Sequence, residues 1–118
     1  YLNNARPEGA RYSVWPGPDG RYHNQGVNKA ISRYSKIASK YNLSLADMSL
    51  AFVLSRPFVA SIILGIKNKK QLQEAASSID INLSGELKEE ISLVHQFSPN
   101  PAITGIMRHR VTESYAIK

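Results

Sequence analysis

Cysteine is absent from these 118 residues, and with it go zinc-thiolate sites, thiol catalysis and any disulfide framework. That absence fits a cytoplasmic protein. A long hydrophobic run is also missing: the longest uncharged apolar stretch, 57–66, falls far short of the roughly 20 residues a membrane helix needs. No secretory leader is visible at the start. Acidic residues are scarce beside basic ones, 9 against 15, for a formal charge of +6. Such an excess suits nucleic acid, a membrane surface or a phosphorylated small molecule equally, and most basic surfaces are simply solvated. The bases form three patches and not one stripe: Arg6, Arg11 and Arg21; Lys67, Lys69 and Lys70; Arg108, His109 and Arg110. What remains, 42% apolar and 20% charged, reads as ordinary soluble globular material of one domain's length.

Residues 1–23 hold Pro7, Gly9, Pro16, Gly17, Pro18 and Gly20, the punctuation of loop, and a loop of that length is functional or tethering. From Asn24 onward the pattern changes. Val27, Ala30, Ile31, Tyr34, Ile37, Ala38 and Tyr41 recur at spacings of three and four, which predicts an amphipathic helix. A second helix should start at Ser44, with Asp47 completing a capping box, and Pro57 should end it. Asn68 offers a cap to a third, with Leu72, Ala75, Ala76 and Ile79 on its apolar face. A fourth begins at Ser84 and turns Leu87, Ile91 and Val94 inward before Pro99.

Between the second and third helices, 58–64 is short, apolar without alternation, and stopped by Gly65. It reads as a strand buried on both faces, the kind found in parallel sheets covered by helices. A lone strand cannot satisfy its own backbone, and the rest of the sequence supplies no neighbours for it. Together with an opening inside a loop and a first residue that is Tyr1, this leads us to expect a piece of a larger α/β protein, of barrel type.

Five motifs in order then become recognisable: 1–11 (Tyr-Leu-Asn-Asn-Ala-Arg-Pro-Glu-Gly-Ala-Arg), Ile37-Ala38 with Tyr41, Ser44 and Leu45-Ala46, the run Ser55-Arg56-Pro57-Phe58-Val59 with Ser61, Ile63 and Gly65, Gln71-Leu72 with Glu74, and Pro99-Asn100-Pro101-Ala102. Together they resemble the C-terminal third of aldo-keto reductases, in the bacterial branch related to potassium-channel β subunits. The resemblance covers about 1–102 and leaves 103–118 as a tail without a motif. It implies a (β/α)8 TIM barrel of which this segment is mainly helical with one short buried strand. It also implies reduction of small aldehydes and ketones with NADPH. The family's catalytic Asp, Tyr, Lys and His come from its N-terminal half and none maps here, so Tyr22, Tyr34, Tyr41 and His95 are not promoted to catalysis and the isolated segment is expected to be inactive.

By the same resemblance, 1–23 is a loop over the cofactor, 24–102 the last helices and final strand, and the adenosine-phosphate end of NADPH is held here. Lys67, Gln71 and Glu74 match residues that contact the adenosine and its 2′-phosphate, Arg11 matches a phosphate-reaching loop arginine, and Gly65 ends the strand. Two departures stand out: Ala75 replaces the asparagine usual after this glutamate, and Gly65 replaces a lysine of other branches. Independently, a strand leading through a short loop to a helix start at Asn68 aims free amides and a positive dipole end outward, as phosphate sites require.

Two readings compete. A basic chain with helices joined by 41–44 superficially imitates a helix-turn-helix, but a recognition helix needs exposed polar residues that reach bases, and 45–54 has one acid and no base. Neither nucleic acid nor membrane is therefore expected as a partner. A non-enzymatic interaction or assembly module is the other alternative, and family members often form homo-oligomers. No metal site is expected.

Overall fold

Side chains that accept from free amides set where the helices begin. In the computed structural model, which describes residues 8–9, 11–14, 22 and 24–102, five α-helices form: α1 (Arg11–Val14), α2 (Gln25–Lys40), α3 (Leu45–Leu54), α4 (Lys69–Ser77) and α5 (Gly85–Phe97). A 3₁₀ turn, Ser78–Asp80, extends α4. Asn24, Ser44, Asn68 and Ser84 each stand at the N-cap of α2 to α5 and accept from the amides of Val27, Asp47, Gln71 and Leu87 at 2.9, 3.0, 2.9 and 3.2 Å. Each cap satisfies a donor that the first turn cannot pair. Only α1 was not foreseen; it interrupts the stretch expected as loop.

The turn from α2 to α3 is equally local in origin. Asn42 takes a left-handed φ of 55°, which its short polar side chain tolerates. That conformation returns the Leu43 amide to the Ala38 carbonyl at 2.9 Å and the Asn42 amide to the Ser39 carbonyl at 3.2 Å, a Schellman closure. The chain reverses, and α3 falls back along α2. The core then assembles from Ile37 and Ala38 of α2, Met48 and Ala51 of α3, Leu83 of the link, and Leu87, Ile91 and Val94 of α5. Every inward residue anticipated for α5 is buried, and the stripe on α2 is buried at Val27, Ala30, Ile37 and Ala38.

The expected strand does not form. No strand exists among the described residues, and 59–67 runs without regular structure. Ile63 is 98% exposed and Phe58 83% exposed, where burial on both faces was anticipated. The reason is that a strand is a relation between chains of backbone donors and acceptors, and no described segment lies alongside to complete it. The apolar face foreseen for α4 is likewise uncovered, since α4 has no buried residue and Leu72 and Ile79 are exposed. The barrel expectation thus rests on the resemblance, and among the described residues the architecture is a helical array.

Among the described residues no helix is long and apolar enough to cross a membrane, and no three His, Asp or Glu side chains cluster as metal ligands would.

Candidate functional site

At the start of α4 the chain crosses from the exposed 59–67 segment into helix, and here polar groups converge. The Lys67 amide donates to Gln71 Oε1 at 2.9 Å, while Asn68 Oδ1 accepts from the Gln71 amide at 2.9 Å. This reciprocal pair wraps the helix entrance and fixes the Gln71 side chain back over it. The amides of Lys69 and Lys70, first in the helix, have no carbonyl one turn earlier to bond. Their positive partial charge adds to that of the lysines.

The Lys67 ammonium itself reaches across the sequence to the Gly9 carbonyl, at 2.9 Å. Gly9 sits in a turn at φ +73°, a conformation that L side chains rarely adopt, and a Cβ there would meet nothing, so the backbone and not crowding calls for glycine. The Gly9 turn, inside the stretch expected as a loop over the cofactor, is therefore joined to the α4 entrance by one side chain. An ammonium has three donors, and this contact takes one of them.

Of the anticipated residues, Lys67 and Gln71 come together, and Glu74 lies one turn further along, its carboxylate 3.8 Å from Lys70 in an exposed pair. Gly65 lies two residues before Lys67, with open space on its side-chain face. Arg11 opens α1, two residues beyond Gly9; its side chain lies outside the described residues, as do Arg6, Trp15, Arg21 and the tail 103–118.

What anchors this entrance was not anticipated. Ser78, fully buried, places its hydroxyl 2.7 Å from Asp47 Oδ1 and 3.0 Å from the Glu74 carbonyl. One hydroxyl carries one proton, and the shorter contact, to the ionised carboxylate, takes it. The other carboxylate oxygen of Asp47 accepts from the Ser44 hydroxyl at 2.6 Å. The hydroxyls of Ser44 and Ser78 hold the Asp47 carboxyl below the usual carboxylate range. The capping box foreseen at Ser44 is thus shared: Asp47 meets the cap's hydroxyl and links α3 to the end of α4. The available signal was a serine three residues beyond Ala75, a polar group on the helix's apolar side.

A second feature is an apolar groove between α2, α3 and α5. One pocket of about 200 Å³ is lined by Ile31, Tyr34, Met48, Phe52 and Ile91 among others. It adjoins a wider pocket that Arg56, Phe58 and His95 help to line. Burial pushes the Tyr34 phenol above its ordinary value. None of the anticipated site residues faces this groove.

The sequence profile of the aldo/keto reductase family matches residues 3–96. The chain belongs to that family. Within this aldo/keto reductase family, the protein Tas of Escherichia coli strain K12 is 40% identical over 102 residues, which cover 86% of this chain and 29% of that protein. The Tas protein of Shigella flexneri matches equally. An aldo-keto reductase of Babesia bovis is 30% identical over 84 residues, 69% of this chain and 30% of its own length. The chain thus spans under a third of the length of these relatives.

Proposed function

We propose that the polypeptide carrying these residues reduces small aldehydes and ketones with NADPH, and that this segment holds the adenosine-phosphate end of the cofactor. One observation carries the reading: Lys67, Gln71 and the free amides of α4 converge beside the Gly9 turn, joined by the 2.9 Å contact of the Lys67 ammonium with the Gly9 carbonyl. Family membership supplies the reaction class, and the local chemistry fits the group. When bound, NADPH would supply hydride to a carbonyl carbon.

This chain's own residues would do the holding. Lys67, with two donors uncommitted among the described residues, would meet a 2′-phosphate; Gln71 would offer an amide beside it; Glu74, an acceptor, suits hydroxyl or amino groups of the adenosine and not its phosphate. Gly65 leaves its backbone open to close approach, and Arg11 would add a second cation from the loop. The final buried strand of a TIM barrel would form from 58–64 once parallel neighbours flank it. The proton donor for the carbonyl oxygen and the rest of the tetrad would come from outside this segment, since hydride transfer needs an acid near that oxygen. A nucleic-acid role has no support in α3, which carries no base.

The experiment is cofactor binding by Lys67→Ala in the complete polypeptide. Loss of a charge-assisted contact costs about 1.5–3 kcal/mol, so NADPH affinity should fall tenfold or more with NADH little changed. An equal loss for both cofactors, or none, overturns the assignment and leaves the lysine as surface.

A further inference from the structure

Helix α4 carries Gln71 and Glu74 and follows directly on Lys67, yet nothing along it is buried. A helix that contributes no side chain to the core is held by few interactions, and here they are identifiable. Its packing runs to α3 and to the 3₁₀ turn that extends it. A part-buried polar contact in that region joins Ser78 to Asp47 at 2.7 Å, across 31 residues. The same Ser78 hydroxyl lies 3.0 Å from the Glu74 carbonyl, so the last turn of α4 sits on the anchor itself. Asp47 is in turn fixed from its other side by Ser44, the cap of α3, which is built into the core through Met48 and Ala51.

We propose that Asp47 and Ser78 are positioning residues that set the placement of α4, and hence of Lys67, Gln71 and Glu74, for binding the dinucleotide. The proposal rests on the cofactor reading above and deepens it. A rigid helix transmits a displacement at its C-terminal anchor to its N-terminal entrance, where the polar groups converge. Ser78 is fully buried and touches no anticipated cofactor residue with its side chain apart from the Glu74 carbonyl, so its effect on binding would be indirect. An ionised acceptor at 2.7 Å makes this a charge-assisted contact, with Ser78 fully buried and Asp47 partly so.

The test uses Ser78→Ala in the complete polypeptide, with Asp47→Asn as the conservative partner, because the amide oxygen of asparagine still accepts from Ser78. Two readouts are taken: hydrogen exchange of the amides of α4 and α5, and binding of NADPH alongside the KM for a test aldehyde at saturating cofactor. For Ser78→Ala, α4 amides should exchange about tenfold faster with α5 unchanged, NADPH should bind about three- to tenfold more weakly, and the aldehyde KM should hold. Asp47→Asn, which keeps an acceptor for Ser78 but not its charge, should show both effects to a smaller degree than Ser78→Ala. Unchanged exchange in α4, or equal acceleration in α4 and α5, overturns the anchor; faster exchange in α4 with unaltered NADPH binding overturns its positioning role. If the unaltered protein itself fails to bind NADPH, the cofactor reading falls and the positioning role with it, while the exchange data still judge the anchor.

Discussion

Carboxylates decide how single residues respond to acid. Glu90 accepts from Lys40 Nζ at 2.6 Å and from the Tyr41 hydroxyl at 2.9 Å, which holds its carboxyl below the ordinary range, chiefly through the lysine. Lys40 is raised in return. With Asp47 also depressed, both acids bind fewer protons folded than unfolded, so their contribution is present above the ordinary carboxylate pKa of about 4 and fades as pH falls through their lower folded values. Lys40 acts with the opposite sign, contributing until pH rises past the ordinary amine range. Acidification below about pH 4 should therefore lower stability, and Asp47→Asn and Glu90→Gln should each flatten that fall in denaturant titrations at stepped pH. An unaltered acid slope in both variants would remove these carboxyls from the account. The more distant Lys40 to Glu86 pair, at 3.4 Å with both side chains largely exposed, should add little and vanish in salt. Asp47's role shows what residue-by-residue reading loses: the Ser-x-x-Asp spacing was visible, but Ser78 lies 31 residues away and only packing brings it near.

At the scale of elements, legibility followed locality. All four capped helices were readable, because a cap and a three-four spacing lie within one stretch of chain and need nothing from elsewhere. Residues 58–64 carried a different message. Their unbroken apolar character reads as a strand with partners on two sides, but no described segment supplies those partners and 58–64 lies largely exposed. The α4 face built on Leu72 and Ile79 behaves likewise. The strongest local test is Leu87, 2% exposed, which sits at the junction of α5 with the core. Leu87→Ala should cost about 2–5 kcal/mol, seen as a lower unfolding midpoint, whereas truncating the exposed Leu93 on the same helix should be nearly silent in this segment. Comparable losses from the two would mean that α5 packs by another face.

For the molecule as a whole, the outstanding property is uncovered apolar surface. Ile63, Phe58 and Phe97, at 98, 83 and 77% exposure, stand with Leu72 and Ile79 among the exposed apolar residues. Two of the nearby rings are partly sheathed by cations, Arg33 lying 4.5 Å from the centre of Phe97 and Arg56 3.9 Å from that of Phe52, but Phe58 and Ile63 lie open. Such a surface recruits other chains. The isolated 118-residue polypeptide should accordingly self-associate or unfold without cooperativity, and should oxidise no NADPH with a test aldehyde. A monodisperse, cooperatively melting monomer in analytical ultracentrifugation and calorimetry, or measurable turnover, would contradict this. The capped helix start at Asn68 was readable, but its contact with the Gly9 turn was not, since Lys67 meets Gly9 across 58 residues and no spacing rule reaches that far.

The bond from Asn24 Nδ2 to the Pro101 carbonyl, 3.0 Å long across 77 residues, has a topological meaning. Asn24 caps α2, and Pro101 lies just beyond α5, so the polypeptide enters and leaves the helical array at one doorway. Gly26 stands in the same doorway, where a Cβ would come within 3.0 Å of the Asn24 side chain. Because entrance and exit already touch, fusing them with a short linker adds little closure entropy, and a rearranged gene could cut the chain open elsewhere, for instance at exposed Asn82 between the 3₁₀ turn and α5. The order of the array from 24 to 101 along the gene should thus be separable from its shape.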